Sequence, residues 1–270
     1  MTEAAKHSHV KLPEGSIEKQ TTTLNLGPTH PATHGVFQNI LELDGERILS
    51  AEQTIGYIHR AFEKLAERRP LYQITPITDR LNYCSSPINN MGWHLTCEKL
   101  LGINTPKRVD YLRVIIMELA RIADHIVCVG VNAVDIGAFT AFLYLFKQRE
   151  TVYDLFEMAA GQRLHTSFTR IGGLANDMPE QFVPMCRKFI NELPATIAEV
   201  DGLLTRNKIF IERNKDIAIL SREDSIDYGA TGPILRASGV EHDLRKANPY
   251  GGYENFQFDI PTGTVGDCMD

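Results

Sequence analysis

The fold is decided by the stretch KRVDYLRVIIMELARIADHIVCV, residues 107–129. Its apolar residues recur every three or four positions, which is the spacing of one face of an α-helix. The members of this apolar face are Leu112, Ile115, Leu119, Ile122 and Ile126. The stretch therefore predicts a long amphipathic helix that buries this face in the body of the protein.

Further helical patterns lie on both sides of this stretch. Residues 52–67 carry Ile55, Ile58, His59, Phe62 and Leu65 on a shared helical face, and a helix is also predicted over about 90–101. Residues 138–160 are apolar almost all round, which is typical of a helix deep in a protein or an assembly. Residues 178–213 predict one or two further helices, since Pro194 marks either a kink or a helix start.

Strand signals precede these helices. Residues 36–43 are rich in β-forming side chains, Asp44-Gly45 is a turn signal, and residues 47–49 continue the hairpin. Residues 1–22 are polar and aperiodic and predict a flexible arm, while the chain after about 222 predicts irregular structure with short strands. We therefore expect a predominantly helical α+β fold with an N-terminal β-hairpin, in one domain over residues 23–270.

Composition excludes several classes of protein. The 270 residues carry a net charge of -6 and no basic stripe, which argues against nucleic acid as a partner. No apolar run is long enough to cross a bilayer, so a role at a membrane would require attachment through a partner. The five cysteines are scattered and include no C-x-x-C pair, so we expect no metal or iron–sulfur cluster bound by this chain.

One loop near the front combines two prolines with two histidines: Gly27-Pro28-Thr29-His30-Pro31-Ala32-Thr33-His34-Gly35. The prolines fix φ and remove backbone donors, so this segment is a shaped loop and cannot be a helix. His30 and His34 either hydrogen-bond the backbone of a tight turn or act as functional groups on a stiffened loop. The sequence favours neither interpretation over the other.

Other polar residues at the joints of the helical body also allow two interpretations. Tyr83 is either a functional phenol or a core tyrosine with a satisfied hydroxyl. Asp135 lies between two apolar helices, where it is either a functional carboxylate or the N-cap of the second helix. Arg60 and Glu63 are either site residues or solvated charges.

Glu118, Arg121 and His125 border the apolar face of the long helix at spacings of three and four residues. We interpret them as a surface ion pair on an amphipathic helix, in preference to a functional cluster.

As an ordered set, the motifs of this chain resemble a known family. They are Gly27–Gly35, Gly56-Tyr57-Ile58-His59-Arg60 with Glu63-Lys64, Asp79-Arg80-Leu81-Asn82-Tyr83, Asp135-Ile136-Gly137-Ala138, Arg163-Leu164-His165, Arg170-Ile171-Gly172-Gly173, Gly229–Pro233, Asp243–Lys246, Pro249-Tyr250 and Gly266-Asp267-Cys268. From about residue 22 onward the chain resembles the D subunit, also called the 49-kilodalton-type subunit, of bacterial NADH:quinone oxidoreductase (respiratory complex I). Each motif is weak alone, and the order makes the set specific.

The resemblance implies a [NiFe]-hydrogenase large-subunit fold that has lost its metal. It also implies a quinone headgroup site in which His34, Tyr83 and Asp135 are catalytic. His34 and Tyr83 would donate hydrogen bonds to the quinone, Thr33 and Gly35 would line the site, and Asp135 would pair with His34. Quinone would be the substrate, and this chain would bind no cofactor of its own.

The resemblance further implies that electrons arrive from an iron–sulfur cluster on a partner subunit. Arg60, Arg80 and His165 would lie near that cluster. The expected partners are the cluster-bearing B subunit, the C and I subunits and the membrane-embedded H subunit of complex I, at the cytoplasmic face of the bacterial inner membrane. Because the family continues well beyond residue 270, we also expect the sequence to be truncated at its C-terminus.

Two other functions compete with this one. The large subunit of an energy-converting membrane-bound hydrogenase shares this ancestry, but it would need C-x-x-C pairs for nickel, and the region around Cys84 has none. A non-catalytic scaffold that braces the cluster-bearing partner would need none of the site residues.

Overall fold

The computed structural model describes residues 21–270. Residues 1–20, most of the expected arm, lie outside this range, and Thr22 begins the first strand. The chain divides into two compact units with the boundary between Ala61 and Phe62. The expectation of one domain over residues 23–270 stays a prediction.

The first unit is a three-stranded antiparallel sheet in the order β1-β2-β3. Its strands are β1 (Thr22–Leu26), β2 (Phe37–Asp44) and β3 (Arg47–Ile55). β2 and β3 form the expected hairpin, which turns at Gly45 with φ of +64°. β1 was not expected from the sequence, and it pairs with β2 from Thr22↔Leu43 to Leu26↔Asn39.

The helix expected over residues 52–67 is wrong. β3 continues through Ile55, because its backbone pairs with β2 as far as Phe37, and only α1 (Phe62–Ala66) is helical in this range. Gly56 and Ala61 have positive φ angles of +103° and +50°, which an α-helix cannot contain. Arg60 therefore lies on an irregular segment.

The second unit confirms the predominantly helical α+β class. Its main helices and its short strands are α2 (Thr75–Thr78), α3 (Ser86–Leu101), α4 (Lys107–Asp135), α5 (Phe139–Ala160), β4 (Thr169–Arg170), β5 (Gly173–Leu174), α6 (Phe182–Leu204) and α7 (Lys208–Asn214). The helix predicted over residues 107–129 is confirmed as α4 and extends further, to Asp135. Pro194 lies inside α6, so one helix spans the position where a break was possible.

Helices α4, α5 and α6 share the main hydrophobic core. Ala120 and Ala123 of α4 are fully buried, and their small side chains let Phe156 of α5 and Phe189 of α6 pack closely. Burial of each such phenylalanine contributes roughly 1.5–3 kcal/mol to stability. This core fixes the position of α4, from which several polar side chains reach the site described below.

Residues beyond 220 form three short helices, α8 (Arg222–Asp227), α9 (Gly232–Ala237) and α10 (Leu244–Ala247). The short strands expected after residue 222 are absent from this described part of the chain. Glu118 of α4 accepts hydrogen bonds from Arg121 (3.2 Å), Arg245 (3.1 Å) and the Tyr253 hydroxyl. The expected surface ion pair is thus part of a half-buried network that ties the last fifty residues to α4.

A buried ion pair joins α3 to α4. Arg113 is fully buried and donates two hydrogen bonds to the Glu98 carboxylate, at 3.0 and 2.5 Å. The same guanidinium donates to the carbonyl oxygens of Arg170 (2.8 Å) and Gly173 (3.2 Å), and the Gly172 N–H donates to Glu98 (2.7 Å). Burial acts to raise the pKa of Glu98, but the hydrogen bonds from Arg113 and Gly172 hold that pKa below its ordinary value.

We predict that Glu98→Gln lowers the free energy of unfolding of the chain by about 3–5 kcal/mol, because it leaves the Arg113 charge buried without its counter-charge. The matched control is Glu192→Gln, which breaks an exposed Lys188–Glu192 pair (3.9 Å). The control should cost less than about 0.5 kcal/mol. Denaturant titration of both variants measures the difference, and equal costs would contradict the assignment.

Candidate functional site

In the first unit, the two-histidine loop closes on Thr33. This side chain is buried, and its hydroxyl donates to the carbonyl oxygens of His30 (2.8 Å) and Pro28 (3.2 Å). Gly27 has φ of +88°, and a Cβ at this position would lie 2.5 Å from the Phe37 carbonyl oxygen. The loop therefore requires glycine at its start, and Thr33 holds it in a fixed shape.

The two histidines of this loop have different surroundings. The Ala32 N–H donates to His30 Nδ1 at 3.2 Å, as the structural interpretation of a tight turn requires. His34 is exposed and has φ of +51°, and Gly35 follows with φ of +73°. A left-handed backbone is uncommon for histidine, and such outliers concentrate at functional sites. His34 is thus the histidine that the loop carries at its surface.

In the second unit, Tyr83 begins a 3₁₀ turn, Tyr83–Ser85, that leads into α3. Asn82 Nδ2 and Ser85 Oγ both donate to Asp124 Oδ2 on α4, at 3.0 and 2.9 Å. The turn is therefore fastened to a helix of the core on both sides of the tyrosine. Sequence reasoning missed Asp124, which in the sequence is only a polar residue beside the apolar face of α4.

The Tyr83 phenol is half-buried. Burial raises its pKa above the ordinary value, the nearby Cys84 adds to this effect, and the Arg149 charge opposes it. At neutral pH the hydroxyl therefore keeps its proton and can donate a hydrogen bond.

His165 and Arg80 lie close together near the buried Asp79. Burial lowers the pKa of His165, the charge of Arg80 lowers it further, and the Asp79 carboxylate opposes both effects. His165 Nδ1 is buried and has no hydrogen-bond partner among the described residues 21–270. Asp79 is held by Asn90 Nδ2 (2.6 Å) and by the Ser167 hydroxyl. Asp79, which sequence reasoning did not select, thus anchors the loop that carries His165.

The second unit also contains a fully buried histidine, His94. Its two ring nitrogens form hydrogen bonds with the hydroxyls of Thr75 and Thr169, each at 2.9 Å. Burial, together with the charge of Arg113, lowers the pKa of His94 from 6.5 to about 4. The ring is therefore neutral at physiological pH and serves as a crosslink between α2 and β4.

Asp135 is the last residue of α4 and is exposed. The interpretation of Asp135 as the N-cap of the next helix is wrong, since Ala138 occupies that position and Gly137 turns the chain with φ of +94°. Asp135 lies three helical turns beyond Asp124, about 16 Å along the helix axis. Within the second unit, α4 therefore separates this carboxylate from the Tyr83 turn.

The selected residues fall into two groups. Thr33, His34, Gly35 and Arg60 belong to the first unit, and Arg80, Tyr83, Asp135 and His165 belong to the second. The structure places Thr33, His34 and Gly35 together on one loop of the first unit. In the second unit, it places Arg80 close to His165. Among residues 21–270, no three His, Cys, Asp or Glu side chains form a possible metal site. No helix in this range has an 18-residue stretch apolar enough to cross a membrane.

Residues 135–270 match the family described as "Respiratory-chain NADH dehydrogenase, 49 Kd subunit". This family is the one that the ordered motifs indicated, although its match begins only at Asp135.

Individual relatives match more of the chain. It is 57% identical over 251 residues to the D subunit of NADH-quinone oxidoreductase from Flavobacterium johnsoniae, covering 93% of this chain and 61% of that protein. It is 56% identical to the D 2 subunit of the Cytophaga hutchinsonii enzyme, with 92% and 63% covered. It is 50% identical to the D subunit of the Desulforamulus reducens enzyme, with 94% and 70% covered. The chain thus spans about three fifths to seven tenths of these relatives' length.

We predict that His94→Gln removes part of the acid sensitivity of the fold. The unfolded chain binds a proton at this histidine near pH 6.5, whereas the folded chain binds it only near the depressed pKa of about 4. Stability should therefore fall as pH drops from 6.5 to 4, with a slope of about 1.4 kcal/mol per pH unit from this group.

The measurement is the free energy of unfolding by denaturant across this pH range. His94→Gln should show a smaller slope than the unchanged chain, while His242→Gln, at an exposed histidine, should leave the slope unaltered. Equal slopes for the unchanged chain and His94→Gln would show that His94 is not buried as a neutral ring.

Proposed function

Because this chain belongs to the family of the 49-kilodalton subunit of respiratory-chain NADH dehydrogenase, we propose that it forms the quinone headgroup site of a proton-translocating NADH:quinone oxidoreductase. The observation that supports this proposal most is the Tyr83 turn. It holds a protonated phenol at the start of α3, fastened on both sides to Asp124.

The chemistry of quinone reduction suits the proposed residues. A quinone accepts two electrons and two protons, and negative charge develops on its two carbonyl oxygens as the electrons arrive. Hydrogen-bond donors fixed in advance where that charge appears stabilise the transition state. The Tyr83 hydroxyl and the His34 imidazole would both donate hydrogen bonds to the quinone. Thr33 keeps the histidine loop in shape, and Gly35 allows the backbone to turn beside His34.

We assign Asp135 the role of pairing with His34. A carboxylate beside an imidazole holds the ring in one orientation and stabilises its charged form, in which both ring nitrogens carry an N–H that can donate a hydrogen bond. The exposure of Asp135 at the end of α4 leaves its carboxylate accessible to such a partner.

Electrons would come from an iron–sulfur cluster on a partner subunit. Arg60, Arg80 and His165 would lie beside it, and the positive charges of the two arginines favour the reduced cluster electrostatically. Arg80 and His165 are neighbours within the second unit, which supports their joint assignment. The buried His165 Nδ1, which has no hydrogen-bond partner in the described part of the chain, could exchange a proton when the charge nearby changes.

The remaining proposals follow from the family. The body would have the [NiFe]-hydrogenase large-subunit fold without its metal, and the partners would be the B, C, I and H subunits of the complex. The chain would be peripheral, at the cytoplasmic face of the bacterial inner membrane, attached through these partners.

We predict that Tyr83→Phe, introduced into the full-length protein in its assembled complex, lowers quinone reductase turnover by about tenfold or more, because one donor to the developing oxyanion is lost. His34→Ala combined with Tyr83→Phe should abolish most of the remaining turnover. Steady-state NADH:quinone reductase assays measure both effects.

The control is Tyr228→Phe, which removes the hydroxyl of an exposed tyrosine and should leave turnover unchanged. The amount of assembled complex and NADH oxidation by an artificial electron acceptor should not differ among these variants. Full quinone turnover in the His34→Ala, Tyr83→Phe double variant would contradict the proposal and support a non-catalytic scaffold.

A further inference from the structure

Three side chains form a closed hydrogen-bonded triangle around Tyr83. Asn82 Nδ2 donates to Asp124 Oδ2 at 3.0 Å, and Ser85 Oγ donates to the same oxygen at 2.9 Å. Asn82 Nδ2 also donates to Ser85 Oγ at 2.7 Å. The two residues that Asp124 holds lie directly before and two positions after Tyr83, so the triangle fixes the backbone on both sides of the phenol.

The Asp124 end of this triangle is rigid. Its neighbours Ala123, Ile126 and Val127 are buried in the second unit, so the helix cannot shift without disturbing the core. The Tyr83 turn, by contrast, joins an irregular segment to α3. A second contact, from Asn89 Nδ2 to the Asn82 carbonyl oxygen at 2.9 Å, ties the turn to α3. The carboxylate thus links an irregular segment to a fixed helix.

We propose that Asp124 is a positioning residue for quinone reduction, which acts through Asn82 and Ser85 to aim the Tyr83 hydroxyl at the substrate. This inference rests on the proposed function of Tyr83 as a donor to the quinone. Nothing in the sequence motifs or in the names of the relatives assigns a role to Asp124.

We expect Asp124 to act on Tyr83 through the hydrogen bonds that fix the turn, and not through its negative charge. Burial and the charge of Asp124 both raise the pKa of the neighbouring Cys84. The leading influences on the pKa of Tyr83 are instead burial, Cys84 and Arg149. A neutral side chain that made the same hydrogen bonds should therefore serve Tyr83 as well as the carboxylate does.

This expectation is tested by exchanging the donor residue and the acceptor residue of the hydrogen bond between Asn82 and Asp124. Asn82→Asp alone sets two carboxylates about 3.0 Å apart, where they repel each other and push the turn away from α4. Adding Asp124→Asn restores a donor and an acceptor in the reverse direction. The amide nitrogen at 124, in the place of Oδ2, then donates to the carboxylate at 82 and to Ser85 Oγ, and the Ser85 hydroxyl donates to the carboxylate at 82, so that each hydrogen bond of the triangle runs in the reverse direction.

In the assembled complex, we expect Asn82→Asp to lower the kcat of quinone reduction by about tenfold to a hundredfold, as a misplacement near 1 Å does. The exchanged pair, Asn82→Asp with Asp124→Asn, should recover turnover to within about threefold of the unchanged protein, since the coupling between contacting residues is restored. Asn104→Asp, at an exposed asparagine, is the matched control and should have no effect.

A purely structural role would lower the amount of assembled complex and NADH oxidation by an artificial acceptor together with quinone turnover. The positioning role predicts that both stay unchanged while kcat falls. Unchanged kcat in Asn82→Asp would overturn the inference, and so would an exchanged pair as slow as Asn82→Asp. If Asn82→Asp fails to assemble, Ser85→Ala removes one arm of the triangle, and unchanged turnover in that variant would equally overturn the inference.

Tyr83→Phe separates failure of this inference from failure of the proposed function. If Tyr83→Phe is slow and Asn82→Asp is not, only the positioning role is wrong. If Tyr83→Phe turns over quinone normally, the proposed function fails and the positioning role fails with it. If both are slow, adding Asn82→Asp to Tyr83→Phe should cost little more, because the side chain that the triangle aims has lost its hydroxyl.

Discussion

The buried ion pair between Arg113 and Glu98 is the constraint on which the second unit depends. Neither charge is tolerable alone in the interior, so the pair requires α3 and α4 to keep one relative position. Arg113 also donates to the carbonyl oxygens of the β4–β5 hairpin, which fixes the segment after α5 against the same two helices. The loop that carries His165 runs into this hairpin, so its position is set by the same pair.

Polar side chains of helix α4 also fix the positions of other segments of the second unit. Arg113 binds Glu98 of α3 and the β4–β5 hairpin. Further along the helix, Glu118 accepts a hydrogen bond from Arg245 of the C-terminal segment, and Asp124 accepts one from Ser85 of the Tyr83 turn. One face of α4 packs into the core, and these polar side chains lie along the edges of that face at different turns of the helix. A chemical group on an irregular segment can thus be held as firmly as one on a helix, provided that its backbone is tied to a helix.

The sequence predicted those parts that depend on local pattern. The period of the apolar residues in 107–129 indicated α4, and Asp44-Gly45 indicated the hairpin. Residues 52–67 misled, because β3 keeps its pairing with β2 as far as Ile55, and the apolar residues that follow lie on an irregular segment and in the short helix α1. This long-range pairing is not visible in the local spacing of apolar residues. The roles of Glu98 and Asp124 were hidden, since Asp124 meets Asn82 across 42 residues, and a lone charge in a sequence does not indicate its partner.

The proposed quinone site requires that Tyr83 and His34 face the headgroup of one quinone. Structure determination of the complete assembly with a quinone bound tests this requirement most directly. We predict that the Tyr83 hydroxyl and a ring nitrogen of His34 each lie within about 2.7–3.2 Å of a quinone oxygen. A headgroup bound elsewhere, or a Tyr83 hydroxyl directed into the protein away from the quinone, would contradict it.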